Sequence, residues 1–198
     1  MNLDNTAGRN EVFLFPLGTV LFPGGALPLK IFEQRYLDMT KACLRDSLPF
    51  GVCLIREGSE VGVPAIPQQT GCLATIEQWE MPNPGMFHLL ARGGARFHVH
   101  STRCASNGLL SGEIELLPEP APATADPTCV ELLRAMIEKI GAEHFPQPLC
   151  YDDAAWVVYR LAELLPAEAT LRQHLLEFDN AAALTVEFKN SILKQILT

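Results

Sequence analysis

The 198-residue chain lacks most of the features that give a chemical function away. Its six cysteines, Cys43, Cys53, Cys72, Cys104, Cys129 and Cys150, include no C-x-x-C pair, whereas a structural zinc site needs ligands a few residues apart. They are expected to be reduced thiols, several buried as small apolar groups, and neither a metal nor another cofactor is implied. No apolar run approaches the ~20 residues that span a bilayer. Met1 to Glu11 is polar and lacks the basic-then-apolar order of a signal peptide, so a frayed tail and a cytoplasmic location are expected. Positive charge is scarce as well. Fifteen Lys and Arg against 23 Asp and Glu leave a formal charge of −8, which argues against a broad phosphate-binding face and against nucleic acid as the main partner. There is no G-x-x-x-x-G-K-[ST] loop and no regular alternation of strands with helices, which excludes a P-loop and argues against a dinucleotide-binding fold. What remains is a 48% hydrophobic, 19% charged chain with enough length for one large or two small cores.

Most of the order lies in residues 13–56. Phe15-Pro16-Leu17 and Phe22-Pro23-Gly24-Gly25 interrupt two short strands, because proline gives no backbone donor. Leu27, Leu29 and Ile31 alternate with Ala26, Pro28 and Lys30 and predict a third strand with one buried face. Helical spacing follows from about Glu33 through Tyr36, Leu37, Met39 and Leu44, with Arg45 near the end and Pro49 as a stop. Residues 50–55 read as a strand buried on both faces. Residues 57–69 read as a loop, 71–80 as a strand, Pro82-Asn83-Pro84-Gly85 as a turn, and 86–91 as the returning strand. Gly93-Gly94 marks a turn or bulge before strands at 96–101 and 109–117. Many short strands with Gly and Pro punctuation and one embedded helix predict an α+β fold built on a small twisted barrel over residues 10–118.

Residues 119–127 read as a Pro/Ala-rich linker, and residues 128–198 as an all-helical unit of about four helices. The first carries Leu133, Met136, Ile137 and Ile140 and ends at Gly141. Asp152 or Asp153 caps the second, with Trp156, Val157 and Leu161. A short third carries Leu171, Leu175 and Phe178, and Asp179 or Asn180 caps the last, with Leu184, Phe188, Ile192 and Ile196.

Phe15-Pro16-Leu17, Val20-Leu21-Phe22-Pro23-Gly24, Leu27-Pro28-Leu29 and Ile31-Phe32-Glu33-x-Arg35-Tyr36 resemble the opening motif of the amino-terminal, substrate-binding domain of Lon proteases. The resemblance continues at Pro49-Phe50-Gly51-Val52, Gly71-Cys72-Leu73-Ala74, Gly93-x-x-Arg96-Phe97-x-Val99, Leu110 to Leu117, Trp156 and Leu164-Leu165-Pro166. It implies a PUA-like barrel followed by a helical extension, and a part that engages unfolded or damaged protein while other domains hydrolyse ATP and peptide bonds. No Ser-Lys dyad can be carried over, so a stand-alone, non-catalytic binding module or adaptor for apolar or unfolded protein segments is expected, with protein or peptide partners and a salt-insensitive affinity. Two alternatives accompany it. PUA-like barrels also serve RNA recognition, for which Arg92, Arg96 and Arg103 would have to build a patch. An enzyme acting on a small molecule in the barrel mouth is the other.

Candidate binding residues fall in two groups. Glu33 and Arg35, with Tyr36 beside them, are either a ligand-facing pair or mouth groups in which Glu33 supports the helix start and Arg35 bonds loop carbonyls. Trp79, Met81, Met86 and Phe87 flank the 82–85 turn. Exposed, they form an adaptable apolar surface; buried, they close the barrel end. His98 and His100 share a strand face and, with His88, could hold a metal, or form an outward polar face opposite Phe97 and Val99.

Overall fold

The computed structural model of the protein describes residues 10–193. β1 (Asn10–Leu17) runs parallel to β3 (Phe50–Glu57) on one side and antiparallel to β6 (Leu110–Leu116) on the other. β4 (Ile66–Asn83) pairs with β3 and with β5 (Met86–Cys104), and the far half of β5 pairs with β6. The pairings therefore pass from β1 through β3, β4, β5 and β6 and return to β1, a ring of strands of the kind the punctuated pattern predicts. β2 (Ala26–Ile31) lies outside this ring, antiparallel to the near half of β5. It has no second neighbour among the described residues. Its register with β5 is unbroken from Ala26 to Ile31 although Pro28 has no N–H, so the missing donor belongs on the open side of the strand.

Between β2 and β3, α1 (Gln34–Asp46) begins after Glu33, which has the extended backbone of an N-cap but makes no side-chain cap bond. Ser47, in the left-handed region at φ 52°, ends it. The helix buries Tyr36, Leu37, Met39 and Cys43 against Phe15, Phe50, Phe87 and Leu89. Each such side chain contributes roughly 1.5–3 kcal/mol when fully removed from water.

Several local expectations change. Asn10 and Glu11, assigned to a frayed tail, already belong to β1, and Glu11 receives hydrogen bonds from Arg103 and Ser111; the rest of that tail and Ile196 lie outside the described residues. Of the two short strands expected ahead of β2, only β1 forms; residues 18–25 are a non-strand segment, because Leu21 and Phe22 turn into two different cores rather than line one sheet face. The predicted loop at 57–69 is shorter, since β4 starts at Ile66. At Gly93-Gly94 the strand does not turn back. β5 continues, with the residues between Gly93 and Arg96 outnumbering those between Ala74 and Cys72 on β4, which is a bulge.

Four α-helices follow among the described residues: α2 (Pro127–Ile140), α3 (Ala154–Leu164), α4 (Ala169–Leu176) and α5 (Ala181–Phe188). Asp126, Asp153 and Asn180 cap α2, α3 and α5 by accepting backbone N–H bonds. The Pro/Ala-rich stretch before α2 is strapped to them. Ala121 N–H donates to Asp179 and Ala181 N–H to Ala121, while Ala125 N–H donates to Asp152 and Ala154 N–H to Ala123. Ring and helices share apolar contacts as well. Val20, Phe22 and Leu54 belong to the cluster containing Leu133, Val157, Leu161 and Phe188, and the Phe22 ring stacks on Tyr159 at 5.0 Å.

Candidate functional site

Three arginine or glutamine side chains fasten the helices to the ring, and one of them, Arg96, lines a cleft between the two. Arg96 on β5 is buried, and its Nη1 and Nη2 donate to the carbonyls of Leu176, Phe178 and Pro118, the first at 2.8 Å and the last at 2.7 Å. Arg160 of α3 is fully buried and donates from Nη2 to the Pro23 carbonyl at 2.9 Å and to Glu163 at 2.8 Å. Gln173 of α4 donates to the Thr70 carbonyl at 3.1 Å. Bonds from charged donors to buried carbonyls are about twice as strong as neutral ones, so the two arginines do most to fix the spacing of the two layers, with the neutral Gln173 bond beside them.

Where the layers part, a cleft of about 740 Å³ opens beside Arg96. Its walls include Pro118, Pro120, Pro146 and Pro148 on the irregular segments and Trp156 and Tyr159 on α3. Trp156 is half-buried, with Tyr151 edge-on at 5.9 Å; Arg134 sits 3.9 Å over the other aromatic, Tyr151. Tyr159 is buried, and burial pushes its phenol up to about 12, so it stays neutral. Proline and aromatic walls suit an apolar ligand with little ordering cost in the wall itself. The sequence signals for this wall are weak: Trp156 reads as a helix residue within the family resemblance, Pro120 reads as linker, and Pro146 and Pro148 carry no reading of their own.

The predicted site residues lie elsewhere and fall into separate places. Glu33 and Tyr36 line a smaller hollow of about 290 Å³ beside β2, with Phe15, Leu29 and Phe32. Arg35 is buried; its Nη2 donates to Glu33 at 2.9 Å and its Nη1 to the Gly108 carbonyl at 3.3 Å, the loop-bonding role. Tyr36 packs its ring 4.2 Å from Phe15, with the Arg35 guanidinium 4.6 Å over it, and burial raises its phenol pKa. Phe32 at this rim is 54% exposed. In the second group, Phe87 is buried in the α1 core while Trp79 and Met81 are 55% and 47% exposed and Met86 is half-buried. Trp79 pairs with Leu89 and so shares the core-facing side of the hairpin, meeting Phe87 edge-on at 5.8 Å, at its uncovered end. Past Ala74, β4 pairs with β5 alone among the described residues.

The three arginines of the predicted patch are each engaged. Arg92 binds Glu77 and the Gly24 carbonyl, Arg103 binds Glu11, and Arg96 is the buried fastener. His98 and His100 neighbour each other with ring centres 5.3 Å apart, and His100 contacts Glu115 at 3.0 Å while His88 contacts Glu80. Among the described residues no group of three or more His, Cys, Asp or Glu is placed to hold a metal ion. No helix among them is long and apolar enough to cross a membrane.

Solved structures share this architecture, two of them as follows. A Lon N-terminal domain protein from Xanthomonas campestris is 35% identical, with 95% of this chain and 97% of that chain covered at a TM-score of 0.71. The N-terminal domain of the Mycobacterium avium complex Lon protease, at 18% identity, matches in fold over 91% of this chain and 97% of that one, with a TM-score of 0.60. No curated protein matches. The ATP-dependent protease La (LON) substrate-binding domain matches residues 11–185, nearly the whole length, and with ring, embedded helix and helical extension all in place the chain belongs to that family.

Proposed function

We propose that the protein is a non-catalytic, cytoplasmic receptor for apolar or unfolded protein segments, which it takes into the cleft between ring and helices. The observation that carries this reading is the cleft itself: about 740 Å³, walled by prolines with Trp156 and Tyr159, on a member of a substrate-binding family. Burial of apolar side chains against such walls supplies the driving force, at roughly 25 cal/mol for each Å² removed from water. Half-buried Trp156 is the anchor, since rigid aromatics at the edge of a pocket give up little conformational entropy on binding.

The test is a fluorescence titration with a labelled, permanently unfolded protein. Saturable binding is expected, weakened at least about fivefold by Trp156→Ser or by Pro148→Glu, the latter at an exposed wall position. Absence of saturation, or affinity indifferent to both substitutions, would remove the reading.

A further inference from the structure

The charges around this cleft are unevenly available. An acidic ligand would look for a guanidinium or an open helix start, and both are already used by the chain. Arg96 lines the cleft but is buried, with both Nη groups committed to the carbonyls of Leu176, Phe178 and Pro118. The first turn of α3 faces the same space, yet Asp153 fills its anion position, accepting from Ala155 and Trp156 N–H through one carboxylate oxygen. Arg134, behind the wall, is stacked on Tyr151, and Arg160 is fully buried against Glu163. The carboxylates are the reverse case. Asp153 is exposed with a second oxygen that has no hydrogen-bond partner among the described residues, and Glu119 is exposed at the rim with neither a hydrogen bond nor an ion pair among them.

We infer that the cleft selects apolar segments flanked by lysine or arginine over the same segments flanked by aspartate or glutamate. The inference rests on the binding reading above and adds a charge rule to it: Glu119 and Asp153 meet the basic flanks while the walls take the apolar middle. A rim contact of this kind steers and sorts more than it tightens, and it weakens as salt screens it. The salt-insensitive affinity expected from the sequence is thereby narrowed to the apolar middle of the ligand.

Three labelled peptides with one eight-residue Leu/Val/Phe core and Lys-Lys, Ser-Ser or Glu-Glu flanks discriminate the possibilities by anisotropy titration. The expected order is lysine tightest and glutamate weakest, with about a three- to tenfold span at low salt that narrows as salt is raised. Glu119→Lys, at an exposed position the fold does not use, is expected to erase or reverse that order. Protection of Cys150, which lines the cleft, from alkylation by the lysine-flanked peptide places the ligand there; the experiment uses a Cys104→Ser background because Cys104 is the exposed thiol. Equal affinity for all three peptides, or an order that survives Glu119→Lys, would overturn the charge rule while leaving the receptor reading intact. Failure of all three peptides together with an unfolded protein to bind would remove both.

Discussion

At the scale of single residues, buried charge decides most of what is special here. Arg96 ends in the backbone of two other segments, so Arg96→Met strands three carbonyls and is expected to lower stability by about 3 kcal/mol or more, read as a fall in the urea midpoint. Glu163 gives a pH signature. Burial pushes its carboxyl from 4.5 up to about 7 against the pull of Arg160, so the folded state holds a proton that the unfolded chain has released between those values. Stability from this group is present below about pH 4.5 and is lost as pH rises through 7, by about 3 kcal/mol. Glu163→Gln is expected to flatten that slope, by denaturation at pH 5 and pH 8. The sequence marks Arg96 as a residue within a strand motif and as a member of a possible basic patch, not as a fastener. Its role depends on carbonyls from Pro118, Leu176 and Phe178, which no local spacing brings together.

At the scale of elements, the bend of β5 is the sharpest case. Gly93 exchanges backbone hydrogen bonds with the turn that follows Phe22, accepting from Gly24 N–H at 2.8 Å and donating to the Gly25 carbonyl at 2.9 Å. A methyl group at Gly93 would run into the Phe22 carbonyl, which is backbone and cannot swing aside. Gly93→Ala is therefore expected to cost about 3 kcal/mol, measured by thermal or urea denaturation, although both residues are small and apolar. Period-two alternation made β2 legible, and the unbroken apolar run made the start of β3 legible, because each reports its own burial. The continuity of β5 through Gly93-Gly94 was only half legible: two glycines announce a departure from regular pairing, but the contact that holds the strand on course comes from a distant turn. The candidate residues divide in the same way. Arg35 bonding a loop carbonyl follows from a Gly-rich neighbourhood, whereas the proline and aromatic cleft is assembled from segments that meet only after folding.

At the scale of the molecule, ring and helices share one apolar cluster through Val20, Phe22 and Leu54, and the Pro/Ala-rich stretch between them is hydrogen-bonded along its length. We propose that the two units expected from the sequence, 10–118 and 128–198, unfold as one. Far-UV circular dichroism and tryptophan fluorescence should then give coincident urea transitions, with Trp79 on the ring and Trp156 on α3 reporting the two sides. Two separated transitions would show the units to be independent.

The proline in the outermost strand carries a consequence for life among sticky chains. A sheet margin with a full row of donors is a template on which aggregating polypeptides can grow. Pro28 leaves a gap in that row, on a strand with a single neighbour among the described residues. A receptor of the kind proposed above would then hold unfolded segments without seeding their polymerisation from its own flank.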